Sequence, residues 1–196
     1  MTNIIHTLSE TRQIFHPELE RWMWAFLDSD GKEKNLAFFT LHFDRERKSI
    51  EEAKEHYRRI LSSIFAQLCG KKWHTDKNLL PGITIIEHGK RRLHCHSIIN
   101  LQDKTEADLV AALDYILKHD KRFNLTFRIT DEFPIKNDES YRPRSNHLLI
   151  QMPIRGLQKV INYILKEYDF KRNRIDFSNF FPHELLFDKG LIQAIR

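Results

Sequence analysis

The chain is predicted to fold as an α+β domain, an antiparallel central sheet with helices packed mainly on one face. Three observations lead there. The apolar runs, such as Leu36-Ala-Phe-Phe and Ile83-Thr-Ile-Ile, are strand-sized and far below the ~20 residues needed to span a bilayer. Segments with a helical apolar stripe alternate with them in the order β, α, β, β, α, β, β, α, which calls for a layered sandwich. The chain has 196 residues, 41% of them hydrophobic and 30% charged, and a chain of this length hides roughly 70% of its unfolded surface without needing a metal or disulfide to hold a core. No linker-like stretch divides it, so residues 1–196 read as one domain with its core over about 36–170.

Taken in order, residues 17–27 read as a short helix carrying Trp22 and Trp24, closed by a turn at Asp28-Ser-Asp-Gly31. Leu36 to Phe43 is a strand. Ile50 to Cys69 places Ile50, Ala53, Tyr57, Ile60, Leu61, Ile64, Phe65 and Leu68 on one stripe and stops at Gly70, a helix-ending residue. Ile83 to Glu87 and Leu93 to Leu101 form a hairpin around His88-Gly-Lys-Arg-Arg92. A second long helix starts near Thr105, where Thr105 and Asp108 have capping-box spacing, and runs to Asp120. Phe123 to Thr130 is a strand, Asp131 to Asn146 a polar loop, and His147 to Ile154 a further strand. Leu157 to Phe170 is a third helix, and the remainder is irregular apart from one turn near His183 to Phe187.

Composition narrows the function classes. Lys and Arg total 32 against 27 Asp and Glu, a net charge of +5, which favours an anionic partner without naming one. The start of the sequence lacks the pattern of a secretory signal, and two cysteines are too few for a disulfide framework, so a reducing cell interior is expected and a membrane is not.

The chemistry concentrates in Glu87-His-Gly-Lys-Arg-Arg-Leu-His-Cys-His96. Residues two apart in a strand share a face, so His94 and His96 project together about 7 Å apart at Cα, while Cys95 points into the opposite layer as core. With the turn centred on Lys90-Arg91, residues whose numbers sum to 181 oppose one another, and Glu87 faces His94 with Cβ atoms about 5 Å apart. Two imidazoles and a carboxylate on one open face make a three-ligand site with coordination positions left for water and substrate. This mixed donor set suits a divalent ion, Mn²⁺ or Mg²⁺, acting on phosphate, and ligand type alone leaves zinc as an alternative.

In the third helix the apolar arc of Leu157, Val160, Ile161, Ile164, Leu165 and Tyr168 leaves Tyr163 off to one side, beside Lys159 and Lys166. A phenol with a lysine one turn later suits covalent phosphoryl transfer, the cation offsetting charge on the non-bridging oxygens. Tyr115 is a rival: Asp114-Tyr-Ile-Leu-Lys118 repeats the wording of Asn162-Tyr-Ile-Leu-Lys166, and helical periodicity does not separate them. Connectivity favours Tyr163, because the 105–120 helix joins two strands and is expected on the back of the sheet.

These residues together resemble the HUH endonuclease superfamily, and within it the Rep nuclease domains of rolling-circle replication initiators. The likeness rests on Phe38-Phe-Thr-Leu-His-Phe43 as the first-strand motif, His94-Cys95-His96, and Tyr163-Ile-Leu-Lys166, in that order over about residues 36–170. The resemblance implies an RNA-recognition-motif-like sheet and metal-dependent nicking of single-stranded DNA at a replication origin of a plasmid or virus, through a 5′-phosphotyrosine. It implies that Glu87, His94 and His96 hold the ion, Tyr163 is the nucleophile and Lys166 assists. DNA contacts are expected from Lys90, Arg91 and Arg92, which border the site, and from Thr40, His42 and Lys159. No G-x-x-x-x-G-K-[ST] occurs, so unwinding would fall to a separate helicase. Two alternatives remain on the sequence alone. One is a single-domain HUH transposase; the other is a non-catalytic single-strand binding module, which would expose aromatics on its central strands.

Overall fold

The computed structural model describes residues 35–44, 49–75, 79–88, 93–131, 144–154, 157–164 and 180–187. The helix expected over residues 17–27, the turn with Lys90, Arg91 and Arg92, and Lys166 lie outside them. The chain runs β1 (Leu36–His42), α1 (Ile50–Cys69), β2 (Gly82–His88), β3 (Leu93–Asn100), α2 (Glu106–His119), a 3-10 turn (Lys121–Phe123), β4 (Leu125–Thr130), β5 (Asn146–Gln151), α3 (Leu157–Ile164), β6 (Phe180–Pro182) and α4 (His183–Leu186). Six strands make one sheet in the order β4-β5-β1-β3-β2-β6. No helix among the described residues is long and apolar enough to cross a membrane.

Local sequence explains the helix ends. Ser49 caps α1, its hydroxyl accepting the Glu52 N–H at 3.1 Å, and Gly70 ends the helix at φ 76°, a backbone region that glycine tolerates best. At α2 the expected capping box is formed, Thr105 Oγ1 accepting the Asp108 N–H while the Asp108 carboxylate accepts the Thr105 N–H.

One expectation needs correcting. The sheet is mixed rather than antiparallel throughout: β4 and β5 pair in parallel, Leu125 opposite Asn146 through Thr130 opposite Gln151. A parallel pair requires a connection of a dozen residues or more, and most of the polar stretch expected as a loop, residues 132–143, lies outside the described residues. The pairing places β5 between β4 and β1. β6 also escaped the sequence reading, being three residues long and containing Pro182.

Among the described residues the two faces are covered unequally. Behind the sheet, Phe39, Leu41, Ile86, Cys95, Ile99 and Ile150 pack with α1 (Tyr57, Ile60, Leu61, Ile64, Phe65) and α2 (Leu109, Leu113, Ile116) in the main core. Each such side chain, fully buried, contributes about 1.5–3 kcal/mol. In front, Phe38, Ile83, Ile85, Ile98 and Leu149 are buried, as are Leu157, Val160 and Ile161 of α3. Tyr163 of α3 meets Phe38 edge-on at 6.2 Å between ring centres, which places this short helix over the front face.

The C-terminal strand and turn are pinned from behind. β6 pairs with β2, Ile83 opposite Pro182, and the His183 ring occupies the space beside Gly82, where a Cβ would collide with it. His183 Nδ1–H donates to the Leu80 carbonyl at 2.9 Å, and its Nε2 lies 3.5 Å from Thr84 Oγ1, which in turn lies 2.7 Å from Ser97 Oγ. Complete burial pushes the His183 pKa down to about 4, so this ring is neutral in the fold.

Candidate metal centre

The β2–β3 hairpin has the register read from the sequence: Glu87 stands opposite His94, Ile85 opposite His96 and Ile86 opposite Cys95. Strand alternation then sends His94, His96 and Glu87 forward, while the Cys95 thiol is buried in the rear core. Glu87 Oε1 accepts from His94 Nε2 at 2.5 Å and from His96 Nε2 at 2.8 Å. One donor atom from each of the three residues lies within 4.8 Å of the others, a group that could hold a metal ion.

The donor chemistry fits a cation. Glu87 is only 4% exposed and His96 1%, and a carboxylate withdrawn that far from water requires compensating positive charge. Burial pushes the Glu87 carboxyl up, but the hydrogen bonds from His94 and His96 and their charge outweigh it and hold the group well below the ordinary carboxylate range. A divalent ion would take the place of the two imidazole protons. His94 is 15% exposed, so the cluster opens to solvent on its side.

Thr40, expected at a DNA contact, has a different place. It is 3% exposed, and its Oγ1 lies 2.9 Å from His96 Nδ1. β1 pairs with β3 so that Thr40 faces His96 and His42 faces His94. With an ion in place of the Nε2 proton, Nδ1–H donation to this hydroxyl would leave the Nε2 lone pair of His96 directed at the cluster, the tautomer a metal ligand needs. Thr40 is therefore placed to orient a candidate ligand and is too buried to meet a polynucleotide. His42 is half-buried on the same face, its ring stacked on His94 at 5.8 Å and 17°.

The structure separates the two tyrosines. Tyr163 is half-buried, its ring 5.5 Å from that of His96 and nearly perpendicular to it, while Phe38 stacks on the same imidazole at 5.3 Å. Tyr115 is 50% exposed on α2, its ring against His119 at 4.4 Å, and α2 packs with α1 behind the sheet. Lys159 is exposed on α3, one turn before Tyr163.

Reading along the chain missed two residues of this face. His147 opposes His42 across the β1–β5 pair, and Arg128 follows in the adjacent row of β4. Alternation in β5 could place His147 on a face, but nothing in the chain order announces that β5 lies beside β1. Comparison with protein-family models, with curated proteins and with solved structures gave no match, so the reading of this centre rests on its own residues.

Proposed function

We propose that the protein is a metal-dependent tyrosine nuclease of the HUH type, a replication initiator that nicks single-stranded DNA at an origin and rejoins it. The observation that carries the reading is the Tyr163 ring lying against the ligand His96 on the face that holds Glu87 and His94. A divalent cation there, Mn²⁺ or Mg²⁺ by its mixed donors, would supply electrophilic assistance at the non-bridging oxygens of a phosphodiester.

The chain's own residues account for the rest. The Tyr163 oxygen attacks phosphorus, an O–P bond forms, the bond from phosphorus to the 3′ oxygen breaks, and the phenolic proton ends on that oxygen. The products are a 5′-phosphotyrosine and a free 3′-hydroxyl, and the reverse step joins strands. Thr40 would hold His96 in the ligand tautomer, and Lys166, three residues after Tyr163 in the sequence, is assigned to the phosphate. A stacking-only binding module is disfavoured by Phe38, which is 1% exposed and offers no open ring to a base.

The test is denaturing electrophoresis of protein incubated with a single-stranded origin oligonucleotide and Mn²⁺. A covalent adduct is expected, absent with chelator and absent in Tyr163→Phe, and retained in Tyr115→Phe. An undiminished adduct in Tyr163→Phe overturns the assignment.

A further inference from the structure

The polar groups of the front face continue past the metal ligands. One row across the sheet reads Thr126 on β4, His147 on β5, His42 on β1, His94 on β3 and Glu87 on β2, every neighbour directly opposed in register. Directly opposed residues share a face, and adjacent strands lie about 4.8 Å apart, so β5 and β4 stand about 10 and 14 Å from β3. The row is built and not merely aligned. Thr126 Oγ1 lies 2.8 Å from His147 Nδ1 and 3.1 Å from Ser145 Oγ, which fixes the imidazole, and His42 stacks on His94. Arg128 stands in the next row of β4, exposed; partial burial of the His147 ring, and after it the nearby Arg128 charge, oppose protonation of that imidazole.

On the helices behind the sheet, Arg58 and Arg59 share Glu55, and just after them Arg122 leans on Asp120. Among the described residues Arg128 forms no ion pair. Glu87 is the one carboxylate among the described strand residues of the front face, and it is engaged by two imidazoles.

We propose that Arg128, His147 and His42 form a phosphate-binding track that takes the single-stranded backbone onward from the metal centre, across β1 and β5 to the β4 edge. The proposal rests on the nuclease reading for the identity of its ligand, a single-stranded polynucleotide. Imidazole and hydroxyl donors grip phosphate oxygens without reading bases, so the track binds independently of sequence and fixes which way the strand leaves the site. Its contribution is electrostatic and salt-sensitive.

The test is fluorescence anisotropy of a labelled single-stranded DNA oligonucleotide of mixed sequence, titrated with the full chain in the presence of chelator at several salt concentrations. Arg128→Ala, an exposed site that leaves the fold intact, is expected to weaken binding and to reduce the slope of log affinity against log salt by about 0.7, the loss of one phosphate contact. His147→Ala is expected to weaken binding in the same direction, and Arg122→Ala to match wild type. Wild-type affinity and slope in Arg128→Ala, or an equal loss in Arg122→Ala, refutes the track. Because chelator removes chemistry from this assay, its outcome is separate from that of the adduct assay. An Arg128 effect without any Tyr163 adduct would sink the nuclease and keep the track; an adduct without an Arg128 effect would sink the track alone.

Discussion

Each face of the sheet holds a histidine beside a hydroxyl, and the two pairs are put to opposite uses. Behind, His183 has no exposed surface, gives its Nδ1–H to a backbone carbonyl and sits near Thr84, which is bound to Ser97. In front, His96 is just as buried, but its Nδ1 lies on Thr40 and its Nε2 on Glu87, and the adjoining His94 reaches solvent. The rear ring is a wedge between a glycine and a strand. The front ring is held by one nitrogen so that the other can bind something. If the proposed function holds, burial alone does not tell a structural histidine from a working one, and the partner of the second nitrogen does.

The sharpest way to break the comparison is at the wedge. Gly82→Ala is expected to cost about 3 kcal/mol, because the new methyl group meets the His183 ring and neither the sheet nor the enclosed imidazole can yield. Thermal unfolding checks this, and a wild-type Tm would refute the wedge role.

Acid titration gives nearly as large an effect. Unfolded, His183 takes a proton near its ordinary 6.5; folded, only near 4. Stability is thus complete above 6.5 and falls as pH drops, by about 3 kcal/mol once 4 is reached. The slope over that window should flatten in His183→Asn, and a slope unchanged in that variant would show that the ring is not its source.

The front face is expected to respond to metal where the rear does not. Mn²⁺ at a hundred times its Kd should stabilise the protein by about 2.7 kcal/mol, seen as a rise in Tm. His96→Ala should abolish the rise, and His183→Asn should keep it. The smallest effect concerns the orienting hydroxyl. Thr40→Val should lower Mn²⁺ affinity about 10- to 100-fold in calorimetric titration, with Thr40→Ser near wild type. Nitrogen NMR of the Mg²⁺-loaded protein should show the Nδ1–H tautomer of His96 in wild type and its loss in the valine variant. Equal affinities in wild type and Thr40→Val would return Thr40 to plain packing.

Much of this was legible in the sequence wherever the interaction is local. The Ile50–Cys69 helix, the Thr105 capping box and the hairpin register that joins Glu87 to His94 all depend on residues close in the chain, and all three are as expected. What depended on distant pairing was not legible. The parallel run of β4 beside β5, the burial of Thr40 against His96, and the His42–His147 neighbourhood follow from strand order, which alternation does not encode. The two tyrosines show the same limit. Each lies off its helix's apolar arc, and only the packing of each helix on its own face of the sheet tells them apart.

The three candidate ligands all come from a single hairpin, and this constrains how the protein can change. A side-chain period of two means that a one-residue slip between β2 and β3 would present Cys95 where His94 or His96 now stands. Insertions and deletions at the tip are therefore tolerated only when the strands keep their parity. Substitutions there are free of that restriction, whereas length can change only in steps that preserve the parity.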